Sequence, residues 1–63
     1  MEPDWDRLKA IGARVEQLDD AGELDKAAFD AAWAEATEAV AGHTEYLEFL
    51  VTRARPGWLS PGA

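Results

Sequence analysis

The stretch Gly22-Glu23-Leu24-Asp25-Lys26-Ala27-Ala28-Phe29 decides the fold, because within eight residues it ends one helix and starts the next. Gly22 can adopt the left-handed conformation that closes a preceding helix, and the Asp25 carboxylate can accept a hydrogen bond from a free backbone N–H of the following one. Leu24 and Phe29 then stand at the N′ and N4 positions of a hydrophobic staple, which sets the angle at which the second helix leaves the turn.

Upstream of this turn, Leu8, Ile11, Val15 and Leu18 recur at spacings of 3, 4 and 3, the seam of a helix packed on another helix. Trp5 sits one turn earlier beside that seam. The helix is expected over residues 4–20, with Pro3 or Asp4 at its start. Gly12 lies inside it next to the seam, which points to close approach by a partner element. Asp19 and Asp20 stand at the negative end of the helix dipole, so that end is either fully solvated or faces something positive.

Downstream, Phe29, Trp33, Ala36 and Val40 repeat at 4, 3 and 4, with Ala32 and Ala39 widening the stripe, and a second helix is expected over 26–41, ended by Gly42. A third is expected over 44–55, capped by His43 or Thr44 and carrying Leu47, Leu50, Val51 and Ala54 on one stripe. Tyr46 and Phe49 broaden that stripe to nearly half the circumference, so this helix needs cover on more than one side. Pro56 stops it, and Arg55-Pro56-Gly57-Trp58 reads as a type II turn that returns Trp58 and Leu59 to the bundle. No segment alternates with period two, so no strand is expected. The expected architecture is all-α: an antiparallel three-helix arrangement in one domain, 1–59, with a packed Trp58-Leu59 tail and a disordered end at 60–63.

Composition narrows the function mainly by exclusion. At 63 residues the chain is near the lower limit at which one hydrophobic core sustains a fold, and its six large aromatics decide the balance. Trp5, Phe29 and Trp33 are read as core. The net charge of −7 argues against binding to nucleic acid or to an anionic membrane, both of which need a basic face. Between Glu16 and Glu48 the only basic residue is Lys26, against ten carboxylates, whereas the last fifteen residues hold Arg53 and Arg55 and no acid. Such asymmetry suggests a basic partner or head-to-tail self-association, beside the plainer reading that the acids keep an alanine-rich protein in solution. No apolar run reaches the length of a membrane span, the acidic start lacks the features of a signal peptide, and the absence of cysteine fits a reducing, cytoplasmic setting.

Nothing in the sequence carries a recognisable chemistry. His43 is the only histidine and has no second histidine or cysteine to complete a metal site. The pairs Glu35/Glu38 and Glu45/Glu48 lack the sheltered cleft that acid–base catalysis requires. Ser60, Thr37, Thr44 and Thr52 have no base partner, and the glycines are scattered singly rather than gathered into a phosphate-binding loop. The expectation is a non-enzymatic protein without cofactor or metal, binding a protein partner or itself through helix faces. Its candidate partner-binding residues are Tyr46, Phe49, Arg53, Arg55 and Trp58. Trp58 is either an exposed anchor beside arginine, of the kind interface hot spots favour, or a lid over the first and third helices; the lid is the preferred reading. Two rivals are an acidic inhibitor, antitoxin or nucleic-acid mimic that occupies a basic site, and a non-catalytic small subunit of an enzyme complex.

Gly22-Glu23-Leu24-Asp25, with Phe29 after three further residues, resembles the centre of the short helical-hairpin domains named SHOCT. In these an apolar helix, a glycine turn and an acid- or threonine-capped helix with an early Phe recur. The resemblance covers roughly residues 8–36 and implies a hairpin with an oligomerisation or docking role. The third helix lies outside it.

Overall fold

A computed structural model describes residues 2–59. Two helices, α1 (Trp5–Asp20) and α2 (Lys26–Ala39), form an antiparallel hairpin, and a 3-10 turn (Thr44–Leu47) runs directly into the short α3 (Glu48–Val51). No strand occurs among the described residues, and the all-α arrangement of three helices is as expected. The proposed disordered end, 60–63, lies outside the described residues.

The central turn is built as its sequence dictates. Gly22 has φ 72°, its N–H donates to the Asp19 carbonyl (3.1 Å), and the Glu23 N–H donates to Leu18 (2.8 Å). These paired bonds satisfy carbonyls that the end of a helix leaves without intrahelical partners. Asp25 caps α2 by accepting from the Ala28 N–H at 2.8 Å, and Asp4 caps α1 by accepting from the Arg7 N–H at 3.1 Å. At the opposite end of the hairpin the Asp4 N–H donates to the Ala39 carbonyl at 2.8 Å, so the two helices are pinned at both ends.

The core follows the anticipated seams. Leu8, Ile11 and Val15 of α1 meet Phe29, Ala32 and Ala36 of α2, closed below by Val40, Leu47 and Leu50. Five large side chains (Phe29, Leu47, Leu50, Val15 and Val40) are fully buried, and among the described residues no polar or charged side chain shares the interior. The fold measures 33 × 29 × 16 Å between Cα atoms. With helices spaced 8–10 Å apart, its thin dimension leaves a core about one side-chain layer deep.

Four details differ from the sequence reading. The second helix stops at Ala39 rather than 41, and the left-handed residue that closes it is Ala41, at φ 53°, with Gly42 following at φ 86°. The Ala41 and Gly42 N–H groups return to Glu38 and Thr37 (3.1 and 2.9 Å), the same closure used at Gly22 but with alanine in the strained position. The third helix reaches only Val51, not residue 55. Its start has no side-chain cap, since His43 occupies the cap position without bonding the backbone. Beyond Val51 the bonding tightens to i→i−3, with the Arg53 N–H on the Leu50 carbonyl (3.0 Å) and the Ala54 N–H on Val51 (3.2 Å), and Arg55 before proline is disfavoured in the α region. Trp5, read as core, is 52% exposed, because as the first residue of α1 it projects past the end of α2's cover. Trp58 is a lid, but over α2: its ring meets that of Phe29 with centroids 5.1 Å apart. The type II turn delivers it there, with the Trp58 N–H bonded to the Arg55 carbonyl (3.1 Å) and Gly57 at φ 91°.

Candidate interaction face

The five candidate residues divide between two places. Tyr46, Phe49 and Arg53 belong to the face where the 3-10 turn and α3 meet α1, whereas Arg55 and Trp58 lie beyond it, where the tail folds onto α2.

On the first face, Phe49 lies over Gly12. A Cβ at that position would come within 3.2 Å of the Phe49 ring, which explains a glycine in mid-helix: it admits an aromatic edge that alanine would crowd. Phe49 is thereby half-buried, and an open groove of about 590 Å³ runs beside it, lined by Trp5, Leu8, Gly12, Glu16, Phe49 and Arg53 among others. Trp5, one of the lining residues, meets Tyr46 edge to face, with centroids 5.1 Å apart and planes at 82°. They remain 52% and 43% exposed although each could bury its ring in a larger core. Val51 is also exposed, so the apolar breadth of the third segment is only partly covered by its own chain.

Trp5 was missed as a member of this face. Helical periodicity gives the direction in which a side chain points, not whether the facing element is long enough to cover it. Its position as the first helical residue was the available signal.

Arg53 and Arg55 are committed to a different task. Arg53 Nη1 donates to Asp19 Oδ2 at 2.8 Å and Arg55 Nη2 donates to Asp19 Oδ1, so one carboxylate holds two guanidinium groups from the far end of the chain. The Asp19 side chain is only 18% exposed. Hydrogen bonds from Arg55, then from Arg53, hold its carboxyl below the usual carboxylate range against the opposing effect of desolvation. The acid that sat badly at the end of α1 therefore faces something positive, one of its two anticipated surroundings. Arg55 also lies over the Trp58 ring at 5.7 Å, within cation–π range. Trp58 is half-buried against Phe29, so Arg55 and Trp58 form a brace on the hairpin rather than a free anchor.

Other basic side chains are similarly occupied: Arg14 with Glu35 (2.6 Å), Lys26 with Asp30 (2.8 Å) and Arg7 with Glu38 (3.7 Å). Among the described residues Lys9 is the one basic side chain without an ion pair. No group of three or more histidine or acidic residues among them is placed to hold a metal ion, and no helix among them is long and apolar enough to cross a membrane. His43 is exposed, 3.6 Å from Glu45 and 6.3 Å from the Tyr46 ring.

Comparison with protein-family models, curated proteins and solved structures finds no match for this chain.

Proposed function

We propose that this is a small acidic, non-enzymatic interaction protein of the cytoplasm, which docks on another protein or on a second copy of itself through the face around Trp5, Tyr46 and Phe49. The observation that carries the reading is the Trp5–Tyr46 pair, two large aromatics left about half exposed beside an open apolar groove. Exposed aromatics clustered on rigid elements are what interface centres favour, and a chain this small has few other uses for them. The cysteine-free composition supports the compartment. The likeness of residues 8–36 to SHOCT hairpins agrees with a docking role.

The test is sedimentation and affinity capture with the wild-type chain and with a Trp5→Ser/Tyr46→Ser variant. Both substitutions fall on exposed side chains, so the variant should fold. Complexes that the variant loses, and that persist as salt is raised, support packing on this face. Complexes unchanged in the variant contradict it. The rival reading, an acidic protein that occupies a basic site, is supported by the net charge of −7 together with the internal pairing of the cations. It predicts complexes that dissolve as salt is raised and ignore the two aromatics.

A further inference from the structure

Past Ala54 the described chain has one apolar grip on the core, the half-buried Trp58. Beneath its ring lies Phe29, only 1% exposed, which in turn stacks on Trp33 with centroids 6.1 Å apart. The fit is loose: an open cleft of about 400 Å³ remains between the tail and α2, lined by Phe29, Trp33, Trp58 and Leu59 among others. Lifting Trp58 therefore bares an aromatic patch on α2. That patch shares no lining residue with the groove beside Phe49.

One residue joins the contacts that keep Trp58 in place. The bond from the Trp58 N–H to the Arg55 carbonyl (3.1 Å) and the fixed φ of Pro56 make residues 55–58 a rigid turn, with the Arg55 guanidinium 5.7 Å from the Trp58 ring centroid. The same guanidinium donates to Asp19 Oδ1 on α1. Arg53 is tied more broadly, with Glu16 and Asp20 each at 3.9 Å besides Asp19, whereas among the described residues Asp19 is the one carboxylate paired with Arg55. Breaking the Asp19–Arg55 bond thus frees the turn while Arg53 stays on α1. Salt reaches that bond, because the Arg55 side chain is 49% exposed.

We infer that residues 55–59 form a strap that opens as a unit from the folded hairpin, released at the Asp19–Arg55 bond and lifting Trp58 from Phe29. Arg55 is its positioning residue, coupling a charge contact on α1 to an aromatic cover on α2. The opening responds to ionic strength, since salt weakens the exposed ion pair and leaves Leu47 and Leu50 buried in the core. The strap goes beyond the docking function proposed above and does not rest on it, because it covers a different face.

The experiment labels the full chain with 5-fluorotryptophan and reads solvent exposure at each tryptophan from the fluorine shift between H₂O and D₂O, at low salt and in about 1 M NaCl, where the screening length falls to about 3 Å. In the wild type the Trp58 isotope shift should rise toward that of Trp5 as salt is added, while the α1 and α2 amides keep their protection from exchange. Asp19→Asn and Arg55→Gln should expose Trp58 already at low salt and abolish the response to salt. Arg53→Gln leaves Arg55 on Asp19, and Arg14→Gln breaks a pair elsewhere on the hairpin; both should keep Trp58 as shielded as in the wild type at low salt. A wild-type Trp58 indifferent to salt, or one equally shielded in Arg55→Gln, would overturn the inference. So would equal exposure in Arg53→Gln and Arg55→Gln, or exposure of Trp58 only when the α1 and α2 amides lose protection with it.

Discussion

The hairpin and the segment beyond it are held by opposite means. From Asp4 to Gly42 the restraints are mostly local: Asp4 and Asp25 cap the helices that follow them, and Gly22 and Ala41 close the ones that precede them. From His43 to Leu59 the helical stretches have no side-chain cap, and the restraints reach back across the chain. Leu47 and Leu50 enter the shared core, Phe49 rests on Gly12, Arg53 and Arg55 clasp Asp19, and Trp58 leans on Phe29. Local restraints give a helix its length independently of its neighbours, whereas distant ones hold a segment only while the surface beneath it is intact. The second segment should therefore depend on the hairpin far more than the hairpin depends on it.

Phe29→Ala strikes the residue that both regions share, and it should cost about 3–5 kcal/mol. That is a large share of the stability of a domain this small, and urea unfolding followed by circular dichroism should show the loss. A cost below about 1 kcal/mol, outside the range for a buried Phe, would mean that the core is not organised around this ring. Asp25→Ala removes only a local restraint and should cost about 1 kcal/mol, with α2 losing protection from amide exchange in its first turn. Ala41→Gly should act in the other direction. Relieving a left-handed alanine stabilises by up to about 1 kcal/mol once glycine's greater unfolded-state entropy is subtracted, raising the melting temperature.

Asp19→Asn should have the smallest effect on global unfolding, because the arginines it holds keep a third to a half of their side-chain surface in solvent. Its effect should be local: faster amide exchange over residues 48–58 with that of α1 and α2 nearly unchanged. The same bond has a predictable pH dependence. The folded carboxyl titrates below its ordinary value, so the contribution is fully present above the unfolded value near 3.8 and is lost as pH falls through the lower folded one. In the wild type the distant segment should loosen in that acidic window, and in Asp19→Asn this component of the pH dependence should vanish. Equal loosening of both regions would erase the distinction between them.

That distinction also governs how much was legible in the sequence. The cap at Asp25, the Gly22 closure and the seams through Leu8, Ile11, Val15 and Phe29 are short-range signals, and the structure contains them all. The Pro56-Gly57 turn was legible for the same reason. The length of the third helix was not, since the stripe and Pro56 gave it twelve residues, 44–55, whereas the uncapped segment forms a 3-10 turn over Thr44–Leu47 and an α-helix only over Glu48–Val51. Ala41 was hidden by the adjacent Gly42, the better candidate for positive φ on intrinsic grounds. Of the candidate face, Tyr46 and Phe49 could be read from the breadth of their stripe. Trp5 could not, because its exposure depends on where α2 ends and what the 3-10 turn covers, and Arg53 and Arg55 were drawn away by an aspartate more than thirty residues upstream.

The central claim is that Trp5 and Tyr46 stand exposed as a pair at the centre of a docking face. Fluorine NMR of the chain labelled with 5-fluorotryptophan tests it directly by reading solvent exposure at Trp5, Trp33 and Trp58. The account predicts that Trp5 is the most exposed of the three. A Trp5 as shielded as Trp58 would contradict it.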